Sequence, residues 1–208
     1  TCALPIYDLL ETADDALGKL ANLVTDLLDV SRLQSGVLGV SVMPVDPAEV
    51  IMPALDELSL GPADVEIDLG ADVPEMVADP ALLQRVVVNL LSNALRYEPA
   101  GGRVRLATSS FADRVEIRVI DHGPGIPEDR RDDVMVPFQR LGDADSTVGL
   151  GLGLALSKGF VEGMDGTLAL EDTPGGGLTM VISLPRVGHA AAGHDDVDHD
   201  DIEEGSAR

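Results

Sequence analysis

The chain has 208 residues, enough to bury a substantial core in one or two domains. Its formal charge of −23, from 37 acidic against 14 basic residues, argues against a nucleic-acid surface and an anionic membrane surface as partners. The single cysteine, Cys2, excludes an internal disulfide framework, and no run of about 18 apolar residues is present to span a membrane.

The sequence opens TCALPIY without an initiator methionine and reads as cut from something longer or misread at its start. Lysine occurs only at Lys19 and Lys158 beside abundant Asp, which fits a high-GC genome or a salty cytoplasm equally. Residues 8–36 form the first predicted helix, with Asp8 and Glu11 as a capping box and Gly36 as its stop. Leu10, Ala13, Leu17, Leu20, Val24, Leu27 and Ser31 step by threes and fours, the seam of a helix that packs on another helix. Leu9, Ala16, Leu23, Leu28 and Val30 widen that stripe toward a bundle, and no second helix of this kind follows.

A short linker containing Gly39, Pro44 and Pro47 leads to a new domain, expected over residues 39–187. Asp46, Pro47 and Glu49 start a helix whose inner face is Val50, Ile51, Ala54, Leu55 and Leu58, ended by Gly61 and Pro62. Residues 65–69 and 76–78 are strand candidates. Residues 79–97 then read as one helix, capped by Asp79, with Pro80 in the first turn and a stripe of Leu82, Leu83, Val86, Val87, Leu90, Leu91, Ala94 and Leu95. Asn89, Asn93, Arg96 and Tyr97 share its second face. Two amides deep in such a helix call for a polar task.

Residues 103–109 and 114–121 alternate as a hairpin, with Phe111, Ala112 and Asp113 in its connection. A loop runs to about Val148, a helix to about Met164, and strands at 167–171 and 178–184 close the domain. The order implies an α+β fold, a two-layer α/β sandwich with helices on one face of a mainly antiparallel sheet. From 188 to 208 the chain loses periodicity and reads as a disordered acidic tail; the spacing of His189, His194 and His199 is too loose for a dedicated metal site.

Asp121-His122-Gly123-Pro124-Gly125-Ile126-Pro127 begins where a strand ends, setting a carboxylate beside glycines that let main chain approach a ligand. A second glycine set, Gly149, Gly151 and Gly153, opens a helix, where free amides favour a phosphate chain. Neither set is a P-loop or a dinucleotide fingerprint.

With the amide-bearing helix, these motifs resemble the catalytic ATP-binding domain of bacterial sensor histidine kinases. Asn89 to Tyr97 is similar to the family's N box, Asp121 to Gly125 to its first glycine box, Phe138 to its F box and Gly149 to Leu154 to its second glycine box. The resemblance covers about Leu9 to Pro185 and implies the Bergerat (GHKL) ATPase fold, shared with gyrase, the ninety-kilodalton heat-shock chaperone and mismatch-repair ATPases. Residues 27–36 resemble the end of the family's dimerisation hairpin, so that 1–38 would supply its second helix. Within the family the chain looks closest to the potassium-responsive sensor kinase that controls the high-affinity potassium pump.

The resemblance implies ATP and Mg²⁺ as ligands, with Asn89 and Asn93 on the metal, and Asn93 and Arg96 toward the phosphates. Tyr97 would flank the nucleotide, Asp121 would accept from the adenine amino group, and Gly123, Gly125 and Ile126 would close over the base. Residues 130–148 would form a mobile lid, with Phe138 packing its start and Arg140 on the terminal phosphates; Gly149, Leu150, Gly151, Leu152 and Gly153 would hinge it. Implied partners are a response regulator and a second protomer through the hairpin helix. The parent would be anchored in the inner membrane, with this portion cytoplasmic.

Three departures bear on that reading. Arg96 stands where many members have Lys, and His122 where Asn is usual. The lid carries Asp143 and Asp145 with few basic residues. The four histidines, His122 and the three of the tail, include none on an amphipathic helix, so the phosphoacceptor is expected elsewhere. Asn89 in place of a Glu disfavours a water-activating hydrolase, and the hairpin helix disfavours a serine-directed anti-sigma-factor kinase. The non-enzymatic alternative is a nucleotide-binding or dimerisation module, or a truncated gene product.

Overall fold

A computed structural model describes residues 4–139 and 151–188. In chain order the elements are α1 (Leu4–Gln34), β1 (Met43–Val45), α2 (Pro47–Glu57), β2 (Val65–Leu69), β3 (Met76–Ala78), α3 (Pro80–Tyr97), β4 (Val104–Phe111), β5 (Arg114–Ile120), α4 (Arg131–Val134), α5 (Gly153–Gly163), β6 (Thr167–Asp172) and β7 (Leu178–Pro185). The fold is the expected α+β sandwich. Helices α3 and α5 pack on a five-stranded sheet of order β2-β4-β5-β7-β6, in which β2 and β4 are parallel and the other neighbours antiparallel, and α2 packs on α3.

Alternation sets which side of the sheet meets the helices. Val104, Leu106 and Thr108 of β4 and Val115, Ile117 and Val119 of β5 are buried, and the residues between them are less so. Strand β7, which lies between β5 and β6, is buried along most of its length. Its outer face is crossed by Arg118, which bonds Glu116 on its own strand and reaches Glu171 on β6 at 3.2 Å.

Helix α3 forms because its local signals agree. Asp79 Oδ1 accepts from the Ala81 and Leu82 amides, Pro80 fits the first turn, and Leu83, Val86, Val87, Leu90, Leu91 and Ala94 bury one stripe. The other Asp79 oxygen accepts from Ser41 N at 3.0 Å, fastening the incoming chain to the helix start. Truncating one of the large stripe residues to Ala would cost about 2–5 kcal/mol.

Four expectations are corrected. Helix α1 starts at Leu4, so Asp8 lies inside it rather than capping it. The expected linker contains β1, which pairs antiparallel with β3; Pro44 is tolerated because a two-stranded sheet leaves one edge of each strand without ladder bonds. Phe111 belongs to β4 opposite Arg114, and the turn is made by Ala112, at φ 54°, and Asp113. Helix α5 begins at Gly153, later than the sequence pattern implies. The Gly36 stop holds: Gly36 has φ 67°, and Gly36 N and Val37 N bond back to Leu33 O and Arg32 O, both at 3.1 Å.

Packing divides α1 in two. Val30 is buried with the core, Leu33 packs beside it, and Leu38 follows, so contacts cross the boundary expected at 38/39. The earlier seam stays open, with Leu10, Leu17, Leu20, Val24 and Leu27 between 44% and 65% exposed. No described helix is long and apolar enough to cross a membrane. The acidic tail expected from 188 on lies outside the described residues beyond Gly188.

Candidate functional site

The polar face of α3 opens onto a cavity of about 420 Å³, lined from this helix by Asn89, Asn93 and Tyr97. Helical spacing puts these three one above the next. The Asn89 side-chain amide donates from Nδ2 to Ser157 Oγ of α5 at 2.9 Å, with Oδ1 left as its acceptor. Room for that oxygen comes from Gly153: a Cβ there would sit 2.3 Å from Asn89 Oδ1. Gly153 therefore serves the amide directly as well as opening α5.

At the cavity's other end Asp121 is buried, following β5. Its Oδ1 accepts from Gly123 N at 2.9 Å and Leu178 N at 3.1 Å, so Oδ2 is the oxygen left for a ligand. Burial raises the Asp121 carboxyl above its ordinary range, the two amide bonds oppose this, Glu98 adds to it and His122 opposes it. Ile126, Leu178 and Met180 supply apolar wall beside it. A buried acceptor against apolar surface suits a flat heterocycle presenting an amino group.

Close main-chain packing shapes this end. A Cβ on Gly123 would lie 2.6 Å from Tyr97 O, so the loop crosses the end of α3 only as glycine. Gly177, at φ 117°, is tighter: its Cβ would lie 2.0 Å from Asp121 O. Gly125, at φ 67°, approaches Gly177 O in turn. His122 is half-exposed but not idle; its amide donates to Glu98 Oε2 at 2.9 Å, and its Nδ1 lies 3.5 Å from Glu98 Oε1.

Of the residues expected from the sequence, Asn89, Asn93, Tyr97, Asp121, Gly125, Ile126, Gly151, Leu152 and Gly153 line one cavity, and Gly123 shapes it from behind. Arg96 is exposed and outside the lining. Phe138 does not pack the lid's start: the residue is 58% exposed and is held by its amide, which donates to Gly151 O at 3.0 Å. The first part of the expected lid is anchored instead. Arg131 donates to Ile126 O and Leu170 O and pairs with Asp172, and Val134 is buried. Arg140, Gly149 and Leu150 lie outside the described residues.

Ser157, Glu98 and Gly177 escaped sequence reasoning, as did Asp26 of α1, which also lines the cavity. Ser157 follows Gly153 by one helical turn, a spacing that carries the pairing with Asn89 once α5 is placed. Among the described residues no group of three or more His, Cys, Asp or Glu forms a metal cage. A cation would here depend on amide oxygens and on its ligand's own oxygens, as Mg²⁺ does with nucleotides.

Residues 78–188 match the family model for histidine kinase-, DNA gyrase B-, and HSP90-like ATPases. The chain is 66% identical over 166 residues to the sensor protein KdpD of Rathayibacter rathayi, covering 80% of this chain and 19% of that protein. It is 42% identical over 185 residues to KdpD of Mycobacterium tuberculosis H37Rv, covering 85% and 21%. Among solved structures, the mycobacterial sensor histidine kinase MprB superposes with a TM-score of 0.60 at 32% identity, covering 70% of this chain and 98% of that one. Full-length ShkA in complex with AMPPNP gives 0.73 at 25% identity, covering 89% and 40%. The chain thus spans about a fifth of the length of the curated KdpD relatives it matches.

Proposed function

The chain belongs to the histidine kinase-, DNA gyrase B-, and HSP90-like ATPase family, and we propose that it is the ATP-binding catalytic part of a two-component sensor histidine kinase. The observation that carries this is one cavity holding the amide of Asn89 at one end and the buried carboxylate of Asp121 at the other. Asp121 Oδ2 accepts from the adenine amino group, where guanine would present a carbonyl and be refused. The amides of Gly151 and Gly153, at the start of α5, receive the phosphate chain.

Asn89 and Asn93 hold Mg²⁺ through their side-chain oxygens. When bound, the metal neutralises phosphate oxygens and orients the transferable group. The chain's own residues bind, orient and shield, and the γ-phosphoryl passes to a histidine outside the four this sequence contains. Arg96 and Arg140 supply positive charge for the terminal phosphates. The parent kinase is of the potassium-responsive type, anchored in the membrane, dimeric through α1 and paired with a response regulator; the 66% identity to a KdpD supports the subtype.

Competition of ATP, ADP and GTP against a fluorescent adenine nucleotide tests the reading. ATP and ADP should displace the probe at least tenfold better than GTP. Equal displacement by GTP would defeat the role given to Asp121.

A further inference from the structure

Helix α1 contributes to the cavity wall itself. Leu23 and Asp26 line it together with Asn89 and Asn93. Asp26 lies near Arg85 of α3, which stands one helical turn before Asn89. The guanidinium is committed elsewhere: Arg85 Nη1 lies 2.6 Å from Asp29 Oδ2, whereas Nη2 reaches Asp26 Oδ1 only at 3.4 Å. Its central carbon sits 5.1 Å from the centre of the Phe160 ring, and Arg32 bonds the other Asp29 oxygen at 3.3 Å.

Asp29, with a side chain 6% exposed, is the clamp that docks α1. Asp26, 32% exposed, keeps acceptor capacity and charge that Arg85 offsets incompletely, and this charge faces the cavity. Burial raises its carboxyl above the ordinary range, the Arg85 charge opposes this and Asp29 adds to it.

We propose that Asp26 makes the cavity select the metal-complexed nucleotide over the bare one. A bare triphosphate meets a like charge on the wall, and a divalent cation between them is attracted by both. Metal dependence is thereby tied to the docked position of α1, because Asp26 faces the cavity only while Asp29 holds the helix. This rests on the ATP reading above.

The experiment measures ATP affinity of the full 208-residue chain in EDTA and in saturating Mg²⁺, and takes their ratio. Asp26→Asn should tighten bare ATP roughly fivefold to tenfold and change Mg²⁺-ATP by less than about twofold, so the ratio shrinks. Asp26→Glu should restore the ratio. Asp29→Asn, which loosens the clamp but keeps the Asp26 charge, should leave bare ATP tighter by a smaller factor than Asp26→Asn does. A ratio unchanged in Asp26→Asn, or unchanged in Asp29→Asn, overturns the inference while leaving the ATP site intact. No ATP binding by the wild-type chain under either condition overturns both.

Discussion

Asn89 of α3 donates its side-chain amide to Ser157 of α5 at 2.9 Å, and in that arrangement its Oδ1 is left for the cavity. Without Ser157 the amide is free to present its nitrogen, which cannot ligate a cation. Ser157→Ala should weaken Mg²⁺-ATP about threefold to tenfold and leave bare ATP within about twofold, since a hydrogen bond of this kind is worth about 1 kcal/mol. Calorimetric titration with and without Mg²⁺ reads the difference. Equal weakening in both would mean that Ser157 matters only to packing.

Asp121 allows stability and binding to be separated. Its raised folded-state pKa means that the folded chain holds the proton more tightly than the unfolded one. Its contribution to stability is therefore fully present below the usual carboxylate range and is lost as pH rises through the raised value. Asp121→Asn keeps an oxygen for the Gly123 and Leu178 amides but turns a donor toward the ligand. Melting at pH 7 should be unchanged or higher than wild type, with the gap closing as pH falls into the carboxylate range. ATP affinity should drop at least tenfold.

Gly177 and Gly175 differ sharply although both have positive φ. A Cβ at 177 would lie 2.0 Å from Asp121 O, while one at 175 meets nothing within 4 Å. Gly175→Ala should cost about 1 kcal/mol of backbone strain and leave ATP binding intact. Gly177→Ala should destabilise by about 3 kcal/mol or more and displace Asp121, so binding is lost with stability. Chemical denaturation of the two variants side by side gives the comparison.

The open seam of α1 predicts self-association. Leu10, Leu17, Leu20, Val24 and Leu27 expose large apolar surface along one helix, which a second copy would cover. Sedimentation should show a concentration-dependent dimer, and Leu20→Glu should return it to monomer without changing ATP affinity. A wild-type chain that stays monomeric at about 100 μM would remove the seam as a dimer surface.

The order of elements was legible wherever the signals are local. Asp79, Pro80 and the stripe from Leu83 to Ala94 specify α3 within its own residues, and alternation marks β4 and β5 in the same way. Strand β1 was not legible, because a three-residue segment containing Pro44 becomes a strand only through distant Ala78, Val77 and Met76. The site followed the same division. Asn89, Asn93 and Asp121 stand out by residue type against their surroundings, whereas Asp26, Ser157 and Gly177 acquire meaning only when another element is docked on them. Arg131 shows the converse. Its sequence neighbourhood reads as a lid, yet bonds to Leu170 and Asp172 hold it to β6 and a third, to Ile126, to the loop after β5.

The proposed function rests on one cavity binding ATP with Mg²⁺ through Asn89 and Asn93 and recognising adenine through Asp121. Calorimetric titration of the purified chain with ATP, in Mg²⁺ and in EDTA, tests it against Asn89→Ala, Asn93→Ala and Asp121→Ala. The account predicts Mg²⁺-dependent binding by the wild type, loss of most of the Mg²⁺ dependence in the two Asn variants, and at least tenfold weakening in Asp121→Ala under both conditions. Unchanged affinity in all three variants would contradict it.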